Sequence, residues 1–577
     1  MIEERETPRP MVDASEQSGD FMHDPVGGGP KRRMIRAVSS IGLLFGAVLF
    51  AASLTPSLIP RSFLLQGVLG GVCLAAGYGI GTALDALWRY MELPVIRGRI
   101  RFRLTIIAGG AALALVAASL WKAPGWQNSI RIRMDMPPVD EAHSLEVAVI
   151  ALIVFAGLLG LWRLFAGLSR IAGRQMSRVV PTKVARVFGI ATALVLFTLL
   201  IDGVLIRSFL HTADLSAAAL DAAMDPQIPP PTDPDATGGT HSLIRWEGLG
   251  RTGRQFVSTG PTAEEISAFL ERPAKAPLRI YAGLNAAPDT EARAALAVQE
   301  MLRRGAFERD VLLVVVPTGT GWMDPEAMDT FEYLHAGDTA IVAIQYSYLS
   351  SWISVLAEPG IGIEAGRALF QAVYRHWIKL PSDNRPKLYV QGLSLGAYSA
   401  EQSVHLHEVL ADPIHGALLS GPPYDSPIWR ALTRNRNEGT PAWLPRYGDG
   451  AVVRFTNQDN QLEESEAEWG PMRVVYLQYA SDPITFFRAD ALFRKPPWLE
   501  APVGPDVSPE MRWYPVVTFL QLGLDMAIGL LVPMGFGHLF APEHYIDGWI
   551  AVTDPQGWNA EDIDRLKAFF VKRSGRG

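Results

Sequence analysis

The sequence predicts an α-helical transmembrane domain of five spans followed by an α/β domain built on a mostly parallel sheet. Three observations carry this. The chain has 577 residues, too many for one core. It is 49% hydrophobic and only 19% charged, with the apolar excess concentrated near the N-terminus. From about Ala274 onward, short β-branched runs alternate with helical stretches, the pattern of strands and crossover helices. The formal net charge of −7 gives no electrostatic reason to expect nucleic acid as a partner. The single cysteine, Cys73, lies in an apolar run, so no intrachain disulfide framework or cysteine-based zinc site is available.

Residues 1–36, rich in charged, Gly and Pro residues, read as a disordered cytoplasmic tail without the apolar core of a cleavable signal. The membrane domain, 37–207, follows. Its five apolar segments run from Ala37 to Leu58, Ser62 to Trp88, Leu104 to Trp121, Leu145 to Trp162 and Val187 to Ile206. Each is near the roughly 20 residues that cross a bilayer core.

Basic residues set the orientation, because Lys and Arg near span ends tend to stay cytoplasmic. Lys31, Arg32, Arg33 and Arg36 precede the first span, Arg97 to Arg103 fill the loop before the third, and Arg163 to Arg186 crowd the loop before the fifth. The alternate loops carry less: Arg61 in one, and Lys122, Arg131 and Arg133, offset by Asp135, Asp140 and Glu141, in the other. Everything after Ile206 is therefore expected outside the cytoplasm. Asp85 and Asp202 lie toward span ends, where headgroup water solvates charge, so the spans read as an anchor ahead of a transport path.

Residues 208–273 read as a linker and lead-in segment. The run "DPQIPPPTDPDATGG" favours an extended spacer holding a soluble domain off the bilayer. The α/β domain, 274–577, is expected to have strands at "LRIYAGL", "VLLVVVP", "TAIVAIQYS", "KLYVQG", "GALLSG", "RVVYLQYA" and a short "LLVPM". The segment Pro515 to Pro533 is apolar enough to suggest a sixth span. Asp525 in its middle argues for a buried helix and short strand of the soluble domain instead.

"GLSLGAYSAE" supplies the chemistry. Ser394 sits between Gly392 and Gly396, directly after a buried strand and before a helix, as in a nucleophile elbow, where the glycines remove side chains that would collide with neighbouring backbone. The N–H of Leu395 is placed to bind an oxyanion. A weak nucleophile needs a base and an orienting acid, in chain order Ser, Asp/Glu, His. Asp482 follows the strand "RVVYLQYA" and is the expected acid; the alternative is an N-cap before "PITFF". Of 11 histidines only His538 and His544 come later. His538 ends the apolar run "LLVPMGFGH" and is the expected base, while His544 lies in the helix-like "APEHYIDGWIAV". The second oxyanion donor is expected in "TGTGW", at Thr318 or Gly319, the plain alternative being a Gly-rich turn. "QYSYLSSWISVL" and "ITFF" read equally as an acyl-binding surface or as core. His405 and His407, two apart after the elbow, make a poor metal pair.

The stretches "RWEGLGRTGRQFV", "PTGTGW", "GDTAIVAIQYSYLSSW", "RPKLYVQGLSLGAYSAE", "YLQYASDPITFF", "DVSPEMRWYPVVTFLQ" and "GFGHLF" resemble the bacterial membrane-anchored alpha/beta-hydrolase family 9 with its multi-spanning N-terminal domain. Where that family tends to show two histidines in the last motif, this chain has Phe536 and His538. The resemblance implies an α/β-hydrolase domain and a Ser394–Asp482–His538 hydrolase, integral to the inner membrane of a bacterium with its catalytic domain on the periplasmic side. Membrane lipids or acyl esters are the implied substrates, and the chemistry calls for no metal or organic cofactor. An acyltransferase using the same acyl-enzyme, or a non-catalytic membrane scaffold, are the alternatives.

Overall fold

The computed structural model describes residues 39–95, 98–199, 216–349, 360–465 and 467–576. The expected tail, Asp202 and the end of the fifth expected span lie outside them. The N-terminal part is built from α1 (Ser40–Ser53), α2 (Phe63–Tyr90), α3 (Gly98–Arg131), α4 (Ser144–Met176) and α5 (Thr182–Thr198). Among the described residues three helices are long and apolar enough to cross a membrane: α2, α3 with its extension to Met134, and α4. Five were expected. The first falls short because α1 stops at Ser53, 14 residues or about 21 Å long, where Pro56 and Pro60 cannot continue a helix. Leu54 to Arg61 instead form a buried, irregular segment. Small residues let these helices approach: a Cβ on Gly77 would stand 2.5 Å from the Phe45 carbonyl oxygen, and one on Gly71 2.7 Å from that of Ala151. Asp85 pairs with Arg89 one turn on, at the end of α2.

Beyond the membrane helices, α6 (Gly250–Ser258) and α7 (Ala263–Leu270) lead into an alternating run: β1 (Leu278–Ala282), α8 (Thr290–Arg303), β2 (Val311–Val316), α9 (Pro325–Leu334), β3 (Thr339–Ile344), α10 (Ile361–Trp377), β4 (Lys387–Leu393), α11 (Leu395–Ser403), β5 (Gly416–Ser420), β6 (Val453–Thr456) and β7 (Arg473–Leu477). The strands form one parallel sheet in the order β1-β3-β2-β4-β5-β7-β6. β1, β2, β3 and β5 are buried throughout their length, as strands covered by helices on both faces must be. The chain ends with α12 (Val517–Ile528), α13 (Pro542–Thr553) and α14 (Ala560–Arg573).

Three expectations about this domain need correction. "LLVPM" forms no strand: Leu530 and Leu531 are exposed between Gly529 and Pro533 in an irregular turn. The seventh strand is β6, four residues with Arg454 in its middle, too short and too polar to stand out in the sequence. The lead-in is not a free spacer either. Leu249, Phe256 and Ile266 are buried, the Phe256 ring packs on Tyr281 of β1, and Asp221 accepts from the Arg251 N–H and the Gln345 side chain. Burial of those apolar faces folds the segment onto the sheet.

The Pro515–Pro533 segment does form a helix, α12, of 12 residues, about 18 Å and far short of a bilayer core of about 30 Å. It lies where the two parts of the chain meet. Val517 joins Leu69 and Cys73 of α2 in one cluster, and Asp525 is paired with Arg61. Ser129 at the end of α3 shares a 2.7 Å hydrogen bond with Ser508. The α/β domain thus rests on the N-terminal helices at their Arg61 and Met134 ends.

Candidate active site

The strand β4 ends in a backbone turn that most residues avoid. Ser394 has φ 56° and ψ −125°, a positive φ for a residue with a side chain, a strain of about 1–3 kcal/mol that only an over-determined setting sustains. The setting is visible. The Ser394 N–H donates to the Ser420 carbonyl at 2.9 Å, pinning the turn to the end of β5. A Cβ on Gly392 would lie 2.4 Å from the Gly396 carbonyl, and one on Gly396 2.2 Å from the Val316 carbonyl oxygen. The two glycines therefore let α11 start directly over β2 and β4. Leu395 is the first residue of α11, where helix N–H groups have no partner within the helix.

Asp482 stands at the matching end of β7 and is fully buried. Its carboxylate accepts from the N–H of Ile484 at 2.8 Å, from Thr485 Oγ1 at 3.1 Å and, through Oδ2, from His538 Nδ1 at 2.7 Å. Asp482 thus caps the helical turn Pro483–Phe486 and also hydrogen-bonds an imidazole. A carboxylate at Nδ1 selects the tautomer with its proton there and leaves Nε2 as an acceptor. Nε2 of His538 is buried and has no hydrogen-bond partner among the described residues. The ring lies over Gly421, where a Cβ would be 2.7 Å from its Cε1. Gly421 follows Ser420, whose carbonyl holds Ser394, so the structure gathers Ser394 and the Asp482–His538 pair around the end of β5.

His544 is engaged elsewhere. Its Nδ1 is 2.6 Å from the Tyr479 hydroxyl, and burial pulls its pKa down to about 4. A histidine held neutral in the fold but ordinary when unfolded contributes stability above about pH 6.5 that is lost as the pH falls through about 4. We expect His544→Asn to flatten the acid side of the unfolding profile between about pH 6.5 and 4 while leaving reaction at Ser394 intact, measured by thermal unfolding at a series of pH values.

In "TGTGW" the Thr318 N–H donates to the Trp322 carbonyl at 3.0 Å, closing a turn around Gly321. That amide, one of the two expected oxyanion donors, is spent on the loop itself. Gly319 is one residue further into the same turn. The other aromatic stretches divide: Phe486 packs against Trp429 and Trp498, and Phe487 against Tyr424 and Phe519, as core. Residues 350–356 of the first stretch lie outside the described residues.

One residue was missed. Asp506, buried, accepts from the Ser481 N–H at 3.1 Å, the Ser481 hydroxyl and the Gln458 amide at 2.8 Å, and burial raises its pKa. The Ser481 oxygen in turn accepts from the Gly537 N–H at 2.9 Å. Asp506 thus ties together the loops that carry Asp482 and His538. It lies in the quoted "DVSPEMRW", but nothing in that motif says which loop it meets.

A family model described as Alpha/beta-hydrolase family matches residues 278–566, and one described as Alpha/beta-hydrolase family N-terminus matches residues 54–261. The chain belongs to the alpha/beta-hydrolase family. No curated protein and no solved structure matches it. In this family member the N-terminal match covers α2 to α6, so it joins the apolar helices to the lead-in that packs on β1. A cavity of about 360 Å³ lies where the N-terminal helices meet the hydrolase domain, lined mostly by N-terminal residues such as Phe63, Gln127 and Arg131 and closed by Ile528 and Leu531.

Proposed function

We propose that this hydrolase is a membrane-anchored serine esterase or lipase cleaving carboxylic esters, with lipid or envelope acyl esters as its substrates. The observation that carries the reading is the buried Asp482–His538 hydrogen bond, with His538 Nε2 unpartnered among the described residues and its ring against Gly421, next to the Ser420 carbonyl that holds the strained Ser394. Ser394 Oγ attacks the ester carbonyl as its proton passes to His538 Nε2. Asp482 holds the imidazole in its tautomer and stabilises the imidazolium. The N–H groups of Leu395 and Gly319 receive the oxyanion, a contribution of about 3 kcal/mol per donor. The proton then goes from His538 to the departing alcohol, leaving an acyl-Ser394 ester. Water, deprotonated by His538, releases the acid and restores the serine.

On this reading the N-terminal helices lie in an inner, cytoplasmic bacterial membrane, which α2, α3 and α4 are long enough to cross. The hydrolase domain lies on the periplasmic side, supported by its contact with the helix ends that carry few basic residues. The Asp85–Arg89 pair at the end of α2 supports an anchor rather than a transport path. A carboxy-terminal alkaline phosphatase fusion should be active, and a fluorescent protein that matures only in the cytoplasm dark; the reverse pattern rejects the orientation.

The reaction is tested with purified full-length protein and a panel of p-nitrophenyl and glycerolipid esters, with and without alcohol acceptors. Release of free acid is expected. Ester appearing on the alcohol instead identifies acyl transfer, and no turnover of any ester, with no acyl adduct, leaves a non-catalytic scaffold.

A further inference from the structure

Arg61 and Asp525 are 464 residues apart in sequence, yet both are buried, with Arg61 Nε 3.0 Å from Asp525 Oδ1. The other Asp525 oxygen accepts from the Leu58 N–H at 3.1 Å. Arg61 also reaches Gln66 Oε1 at 3.2 Å and the Ser57 hydroxyl, while its own N–H donates to Gln127 Oε1 at 3.0 Å. Gln521, one turn before Asp525 on α12, donates to the Thr55 carbonyl at 3.0 Å. Thr55, Leu58 and Arg61 of the turn between α1 and α2 are thus each paired with Gln521 or Asp525 on α12. A tether needs no such joint, and burying two charges is costly unless geometry repays it.

The joint continues to the active site. α12 ends at Gly529, whose carbonyl accepts the His538 N–H at 3.1 Å. Ile59, fully buried, reaches the same loop: a Cβ on Gly537 would be 3.2 Å from its Cδ1 and 2.9 Å from the Gly529 oxygen. The backbone on both sides of the His538 amide is therefore held by α12, by Ile59 and, from the far side, by Ser481.

We propose that the segment Leu54–Arg61, between the first two membrane helices, positions the catalytic base. Through the Arg61–Asp525 pair and Ile59 it fixes the loop that carries His538, so Arg61 and Asp525 are positioning residues and the membrane domain is part of the support of the active site. The inference rests on reading His538 as the base of an esterase.

The test uses full-length protein in lipid nanodiscs, comparing Asp525→Asn, Arg61→Met and Arg61→Lys with the parent. Two readouts are taken: steady-state hydrolysis of a soluble p-nitrophenyl ester, and amide hydrogen exchange by mass spectrometry. Asp525→Asn and Arg61→Met are each expected to lower kcat about 10- to 100-fold with KM within about twofold. Exchange at 529–538 should rise about tenfold while that of β4 stays unchanged. Arg61→Lys should recover part of both effects, and the double variant should cost no more than the worse single one. Should Asp525→Asn fail to fold, Ile59→Ala makes the same comparison with the ion pair intact. Parent-like kcat and exchange in the variants overturn the proposal, as does a loss of activity that only tracks the folded fraction without recovery by lysine. A parent protein that turns over no ester, with exchange at 529–538 still rising in the variants, instead sinks the esterase reading and reduces the joint to a structural one.

Discussion

Ser394→Ala and His538→Ala should each lower kcat for an activated ester by about 10⁴- to 10⁶-fold, and Asp482→Asn by about 10⁴-fold. The sizes follow from what each side chain does. Without Ser394 no acyl-enzyme forms, and without His538 the hydroxyl keeps its proton. An amide at 482 still accepts from the Ile484 and Thr485 N–H groups through its remaining oxygen but presents a donor to His538 Nδ1, selecting the wrong tautomer for a base. The three groups act as a unit, so the triple variant should be little worse than Ser394→Ala. The check is stopped-flow or long-time ester hydrolysis on folded protein, with secondary structure confirmed by circular dichroism. A His538→Ala protein within tenfold of the parent removes His538 from the reaction.

The second large effect is on stability. Arg279 lies on β1, buried, with Nη2 2.6 Å from both Asp329 and Glu332 of α9, Nε 2.8 Å from Glu332 and Nη1 3.0 Å from the Phe256 carbonyl of α6. It joins the lead-in to the sheet and to the helix beyond. Arg279→Met leaves Glu332 without an ion-pair partner in a dry site, a loss of about 3–5 kcal/mol. The lower end is expected, because burial already raises the Glu332 carboxyl and lets it take a proton rather than stay charged. Asp329 keeps Arg573 at 2.9 Å. Adding Glu332→Gln to Arg279→Met should therefore recover much of the loss. Chemical denaturation followed by tryptophan fluorescence measures both, and an unchanged deficit in the double variant would show that lost packing over Phe256, not the stranded carboxylate, dominates.

The proposed site residues stood out because their signals are local. A serine between two glycines after a β-branched run specifies a strand, a turn and a helix within about ten residues, and Asp482 and His538 are singled out by chain order and by sitting where apolar runs stop. The helix α12 was legible for a similar reason, Asp525 being a poor residue to bury in lipid. What the sequence did not show depends on pairings across the fold. Nothing near Arg61 names Asp525, nothing in "DVSPEMRW" names Ser481, and the Thr318 amide is lost to a turn whose closure depends on the Trp322 carbonyl. The first expected span was drawn too long because hydropathy does not see that Pro56 and Pro60 end a helix and that Leu58 donates its N–H to a carboxylate. The burial of the lead-in against β1 was not visible in the sequence, where only the proline run ahead of it stands out.

The central claim is that Ser394 is a nucleophile activated by His538, and covalent trapping tests it most directly. Full-length protein in nanodiscs is treated with a fluorophosphonate probe, digested, and the modified residue located by mass spectrometry. The account predicts one adduct, on the peptide that contains Ser394, absent from Ser394→Ala, nearly absent from His538→Ala and undiminished in His544→Asn. An adduct on another serine, or labelling of Ser394 that is indifferent to His538, would contradict it.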